Sequence, residues 1–171
     1  MPDRTHPPKA PDAQRQAVPA VPESQHFTTS YRAIRTDEAV KVYNGAGMRS
    51  VSRALSFDPA DEEFSALDEC ACAILSEILL LLGDEFRSRG EDLMDVEARA
   101  HVTVENPLAA LGVRGIEGAA RIASVRVETY LFTFMDEPQA RAVIDEALAR
   151  AVLYQSLKDA LSTTCRFSLT E

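Results

Sequence analysis

Positive charge, cysteine and long apolar runs are all scarce in this chain, and each shortage removes a class of function. There are 18 Lys and Arg against 27 Asp and Glu, a net charge of −9. No basic cluster interrupts that acidity, which argues against a nucleic-acid partner. There are three cysteines, Cys70, Cys72 and Cys165. An odd count with this spacing points to buried thiols and away from a disulfide framework. The three histidines, His6, His26 and His101, are scattered, and none stands at ligand spacing from a cysteine. Neither a metal nor a cofactor is therefore expected. The N-terminus lacks the apolar core of a signal peptide, so the expected compartment is the cytoplasm. No apolar run reaches the roughly 20 residues that a membrane span takes. There is no Gly-rich phosphate loop, no nucleophile elbow and no internal repeat.

The 171 residues suit one compact domain with a tail, and 46% of them are hydrophobic, enough for a core. Six of the nine prolines fall within residues 1–26, where large apolar side chains are almost missing. That stretch is expected to be a disordered Pro-rich arm. Residues 27–171 are expected to form a single domain.

The domain is organised around Phe64 to Gly90, its longest apolar stretch. Between Cys70 and Leu82 the only polar residues are Ser76 and Glu77. A helix exposed on one side would show a polar face, so this one is expected to be buried on most sides, against a sheet or a partner chain. Glu77 is its anomaly, a carboxylate among Ile74, Leu75, Ile78 and Leu81. The acids from Asp58 to Glu63 suit a helix N-terminus, and Arg87, Arg89 and Gly90 suit its end.

Ahead of that helix, residues 27–57 read as a small antiparallel sheet. Asn44-Gly45-Ala46-Gly47 is the hairpin signal, since Asn and Gly tolerate positive φ. Arg49, Val51, Arg53, Leu55 and Phe57 share one parity, which places Arg49 and Arg53 on a pocket rim or an edge. Behind the helix, Met94 to Glu105 alternates with period two and leaves His101 on the wet face. A loop follows over Asn106 to Gly118. The strand from Arg121 to Phe134 puts Val125, Val127 and Leu131 on one face and Tyr130, Phe132 and Phe134 on the other. Asp136-Glu137-Pro138 opens a second amphipathic helix running past Tyr154. Ser162 to Thr170 closes the chain as a strand with Cys165, Phe167 and Leu169 inward. The order is β-β-β-helix-β-β-helix-β, an α+β domain of two antiparallel sheets around a buried helix.

That order resembles the OsmC/Ohr family of osmotically inducible and organic hydroperoxide resistance proteins, over about residues 38–171. Ser65-Ala66-Leu67-Asp68-Glu69 lies on the opening of the family's first helix. Arg150-Ala151-Val152-Leu153-Tyr154-Gln155-Ser156-Leu157-Lys158 lies on the second. The resemblance implies an OsmC-like fold, two long helices with antiparallel sheets, in an intertwined homodimer with a small-molecule site between subunits. Neither a nucleic-acid nor a membrane partner is expected, on the charge and the run lengths given above. The resemblance also exposes two departures. The family's peroxidatic cysteine falls on Glu77, twelve residues after Ser65, and its resolving cysteine falls on Ala151.

A carboxylate has no reducible sulfur, so a chain with Glu77 at that place is expected to have lost thiol-peroxidase chemistry. The first expectation is a protein that binds or transforms a small, largely apolar molecule in the interface pocket. Glu77 would serve as general acid or base, with Arg49, Arg53, Asp68, Tyr154, Gln155 and Ser156 as binding groups. A structural reading stands beside it, in which Glu77 pairs with Arg53 or Lys158 and only holds the fold. Two alternatives complete the set: a hydroperoxide reductase working through Cys72 or Cys70, and a non-catalytic, partner-binding pseudoenzyme. Two residues apart on a helix, Cys70 and Cys72 point about 200° apart, so they cannot share one site.

Overall fold

The computed structural model describes residues 29–36, 39–44, 46–56, 63–91, 93 and 95–170. The Pro-rich stretch, the first two residues of the expected first strand, Gly45, Phe57, the acidic turn Asp58 to Glu62, and Met94 lie outside them.

Three short strands come first: β1 (Arg32–Arg35), β2 (Val40–Tyr43) and β3 (Met48–Val51), antiparallel in the order β1-β2-β3. Asn44 closes the β2–β3 hairpin, its Oδ1 accepting from the main-chain N–H of Ala46 and of Gly47 at 3.1 and 2.8 Å. The strands pack chiefly on one another. Tyr31, Ile34 and Met48 are left exposed. The sheet is tied to the rest by the Arg49–Glu69 ion pair at 3.1 Å and by the carbonyls of Arg53 and Ala54, which accept from Ala66 and Leu67.

The central helix, α1, spans Ala66–Ser88. Its N-cap is Ser65, two residues after Glu63. The Ser65 hydroxyl accepts from Asp68 N–H at 3.2 Å, and the Asp68 carboxylate accepts from Ser65 N–H at 2.8 Å. This reciprocal pair satisfies two of the donors that a helix start leaves orphaned. Gly90 ends the helix with φ +81°, a conformation glycine takes without strain. Glu91 N–H then reaches the Phe86 carbonyl and Gly90 N–H that of Arg87.

The second sheet has the order β4-β5-β6, with β4 (Val96–Glu105), β5 (Arg121–Phe132) and β6 (Thr164–Thr170). A short helix, α2 (Pro107–Ala110), sits in the β4–β5 loop. β4 and β5 are antiparallel, but β6 runs parallel to β5. The sheet is therefore mixed, not antiparallel throughout. The cause is the helical crossover between β5 and β6, which returns the chain to the end of the sheet where β5 began.

That crossover is two helices, α3 (Glu137–Arg150) and α4 (Val152–Leu157), where one long helix was expected. Ala151 breaks it with extended angles, φ −74° and ψ 102°. Asp136 caps α3, accepting from Gln139 N–H at 2.9 Å. The core joins Ile74, Ile78, Leu82 and Phe86 of α1, Val125, Val127 and Leu131 of β5, and Ala140, Val143, Ile144 and Ala147 of α3. α1 buries this one face within the chain. Its far side stays open, with Ala73, Ser76 and Leu80 exposed.

Candidate functional site

The break at Ala151 leaves the first-turn N–H groups of α4 without acceptors, and Ala151 has no side-chain oxygen to offer them. The acceptor comes from α1. Glu77 is half-buried, and its two carboxylate oxygens each lie 2.9 Å from Leu153 N; Oε2 is also 3.1 Å from Tyr154 N. Glu77 thus caps a helix 76 residues further along the chain. The arrangement suits a carboxylate, because the N-terminal end of a helix carries partial positive charge. It also brings Glu77 to the main chain two residues past Ala151.

The other side of the joint is held from the same helix. Glu85, the one buried charged residue among the described residues, receives Arg89 on Oε2 at 2.7 Å and Arg150, the last residue of α3, on Oε1. Arg89 also donates to Glu146 of α3. The Arg89 guanidinium first, and Arg150 second, hold the Glu85 carboxyl below the ordinary carboxylate value. Two carboxylates on α1 therefore bracket Ala151, Glu85 through Arg150 and Glu77 through Leu153 and Tyr154. The sequence reading passed over Glu85, although Arg89 stands one helical turn after it. Its partner Arg150 could not be found by spacing.

The remaining candidates are spread along the chain. Tyr154 meets Glu77 through its backbone N–H, while burial first, and then Cys165 and Asp159, push its phenol up. Gln155 is occupied: its amide donates to the Leu148 carbonyl and accepts from Lys158, both at 2.8 Å. Lys158 thus directs its ammonium to Gln155. Ser156 is exposed on α4. Asp68 is engaged in the N-cap of α1. Arg49 pairs with Glu69, eight residues before Glu77, which is about 12 Å along the helix axis. Arg53 contributes its carbonyl to Ala66. The structure thus gathers Glu77, Tyr154, Gln155 and Ser156 at one joint and places Arg49, Arg53 and Asp68 at the other end of α1.

The thiols differ in setting. Cys165 is pushed up to about 11 by burial, which keeps it a thiol at neutral pH. Cys70 packs against the core and stands two turns before Glu77 on nearly the same face, about 10 Å away along the axis. Cys72, five residues before Glu77, points about 140° from it. Around the Glu77 joint, Leu80 is 69% and Val152 70% exposed, an apolar rim left open among the described residues. Among the described residues no group of three or more His, Cys, Asp or Glu could hold a metal ion. Among the same residues no helix is long and apolar enough to cross a membrane.

No family profile and no curated sequence matches the chain. Solved structures do. An OsmC-like protein from Mycoplasma pneumoniae superposes with a TM-score of 0.64 at 9% identity, over 84% of this chain and 96% of that one. An organic hydroperoxide resistance protein OsmC from Legionella pneumophila gives 0.57 at 12%, over 85% and 98%. The organic hydroperoxide resistance protein OhrB of Bacillus subtilis gives 0.55 at 13%, over 84% and 98%. The chain has the fold of OsmC and organic hydroperoxide resistance proteins, and at these identities the likeness is one of fold.

Proposed function

We propose that this chain works as a homodimer that binds a small, largely apolar molecule between its subunits and has left thiol-peroxidase chemistry. The observation that carries the reading is the Glu77 carboxylate seated on the amides of Leu153 and Tyr154. In a dithiol peroxidase, a thiolate attacks the peroxide oxygen and a second thiol then closes a disulfide. Here a carboxylate and an alanine occupy the joint, and neither has sulfur to oxidise. Use of Glu77 as a general base would first require its oxygens to leave the α4 amides, so binding is favoured over acid–base catalysis.

Two features support the dimer. The β1–β3 sheet has large apolar side chains exposed, Ile34 and Met48 among them, and burying them against a second copy would remove apolar surface from water. The far side of α1 offers such a surface, with Leu80 uncovered. A ligand held between the copies would meet Leu80 and Val152 as apolar walls and the Glu77 joint as the polar point.

The test is organic-hydroperoxide consumption with a dithiol reductant, on the wild type, Cys70→Ser and Cys72→Ser, alongside light scattering for mass. No turnover, at a mass of two chains, is the expected result. Turnover that disappears in Cys72→Ser or Cys70→Ser would return the protein to the peroxidases.

A further inference from the structure

The outer face of the β4–β6 sheet, turned away from α1 and α3, is one carboxylate short. Four arginines stand on the sheet, and three of them hold a glutamate. Arg99 takes Glu97 at 2.8 Å, Arg121 takes Glu105 at 2.7 Å and Arg126 takes Glu128 at 3.2 Å. Arg166 of β6 is the exception. Its cross-strand neighbour is Glu128, where an opposite charge belongs. Glu128 is already engaged: Oε1 receives Arg126, and Oε2 lies 3.7 Å from His101 Nε2. Arg99 flanks the same glutamate from β4. Arg166 is exposed and has no hydrogen bond or ion pair among the described residues. Three guanidinium groups and an imidazole thus surround one carboxylate, in a chain of net charge −9. Next to Arg166 the face turns aromatic. Tyr130 pairs with Ser168, two residues on from Arg166, which sets the Tyr130 and Arg166 Cα atoms about 8 Å apart by strand spacing and rise. Tyr130 is 43% exposed, with the Arg99 guanidinium over its ring at 5.9 Å. Phe132 follows on the same side, and the ring of the exposed Phe134 meets it edge to face. Asp95 and Glu97 close this end, beside a shallow cavity of about 370 Å3 that they line with Tyr130 and Phe132.

We propose that this face docks an acidic, aromatic-bearing segment of another protein. The segment lies extended, with a carboxylate on Arg166 and an aromatic side chain, two residues away, on Tyr130. Residues two apart on an extended chain share one side and stand about 7 Å apart, which matches the step from Arg166 to Tyr130. An arginine fork takes a carboxylate through two N–H bonds at once. Paired rings add more than their buried area alone. The face is open and long, unlike the concave sites that small molecules fill. One surplus guanidinium answers a carboxylate but not a phosphate backbone, whose binding takes several cations together. Asp95 and Glu97 orient the segment, since they keep its carboxylate at the Arg166 end. The face lies across the sheet from the α1–α3 layer, so the proposal stands apart from the Glu77 joint.

The experiment is a nuclear magnetic resonance titration of the full chain, isotope-labelled, with a random glutamate–tyrosine copolymer, and in parallel with polyglutamate and polyuridylate. The copolymer is expected to shift the amides of Arg166 and Tyr130 and to leave those of Leu153 and Tyr154 in place. Its affinity should fall about tenfold or more in Arg166→Glu and in Tyr130→Ala, and less in Arg166→Lys. Urea midpoints show that each variant is folded. Polyglutamate, which has no rings, should bind about tenfold more weakly than the copolymer. No shift at Arg166 and Tyr130, equal affinity in Arg166→Glu, or tighter binding of polyuridylate at the same residues overturns the proposal.

Discussion

Replacing Glu77 with alanine removes the acceptor for two main-chain N–H groups at once. Those of Leu153 and Tyr154 would have no acceptor from within α4, whose first turn starts after a break. Loss of an N-cap costs about 0.5–2 kcal/mol, and the charge at a helix terminus adds about 0.3–1 kcal/mol. Glu77 is half-buried and partly reached by water, so a value in the lower half of the combined range of about 0.8–3 kcal/mol, about 1.5 kcal/mol, is expected. About 1.4 kcal/mol corresponds to a factor of ten in an equilibrium. Amide hydrogen exchange at Leu153 and Tyr154 should therefore speed about tenfold in Glu77→Ala, while amides of β5 keep their rates. Glu77→Gln keeps one acceptor oxygen and loses the charge, so it should fall between the two. Unchanged exchange at both amides in Glu77→Ala would refute the clamp and with it the reading of Glu77 as a cap.

Three further outcomes follow from other parts of the molecule. Because the folded Glu85 carboxyl lies below its ordinary 4.5, the stability it contributes is complete above about that pH and is lost as pH falls through the folded value. The melting temperature of Glu85→Gln should accordingly depend less on pH below about 4.5 than that of the wild type. Leu82→Ala, at a fully buried position, should cost about 2–5 kcal/mol in urea unfolding. Cys165 should resist iodoacetamide at pH 7.5 in the folded protein and react once the chain is unfolded, as its elevated value of about 11 requires.

What could be read in advance depended on whether the cause was local. α1 was legible because its core side chains, Ile74, Ile78 and Leu82, recur every four residues and its C-terminal glycine is a local stop. The alternation of β4 and β5 was legible for the same reason, down to Tyr130 and Phe132 on the outer face. The direction of β6 was not, since no residue within Thr164–Thr170 encodes it; the crossover before it does. Neither was the break at Ala151, which has no proline or glycine behind it. It is held from α1, by Glu77 and by Glu85 through Arg150, and contacts so distant in sequence leave no periodic trace. The oddity of Glu77 could be seen, but its partners could not, because backbone amides carry no residue identity.

The parallel pairing of β6 with β5 also orders events in time. Register partners in β4 and β5 are as close as Glu105 and Arg121, so that hairpin can zip from its loop outward. Every β5–β6 pair, from Arg126 with Thr164 to Phe132 with Thr170, is 38 residues apart. Loop closure alone separates the two by only about 0.8 kcal/mol, at roughly 0.6 per doubling of length. The larger requirement is that the chain turn back through α3 and the joint at Ala151 before β6 can lie parallel to β5. Docking of the last strand thus waits on a helix break that α1 holds. Substitutions at the joint should slow the closing phase of folding and leave the early hairpin rate intact.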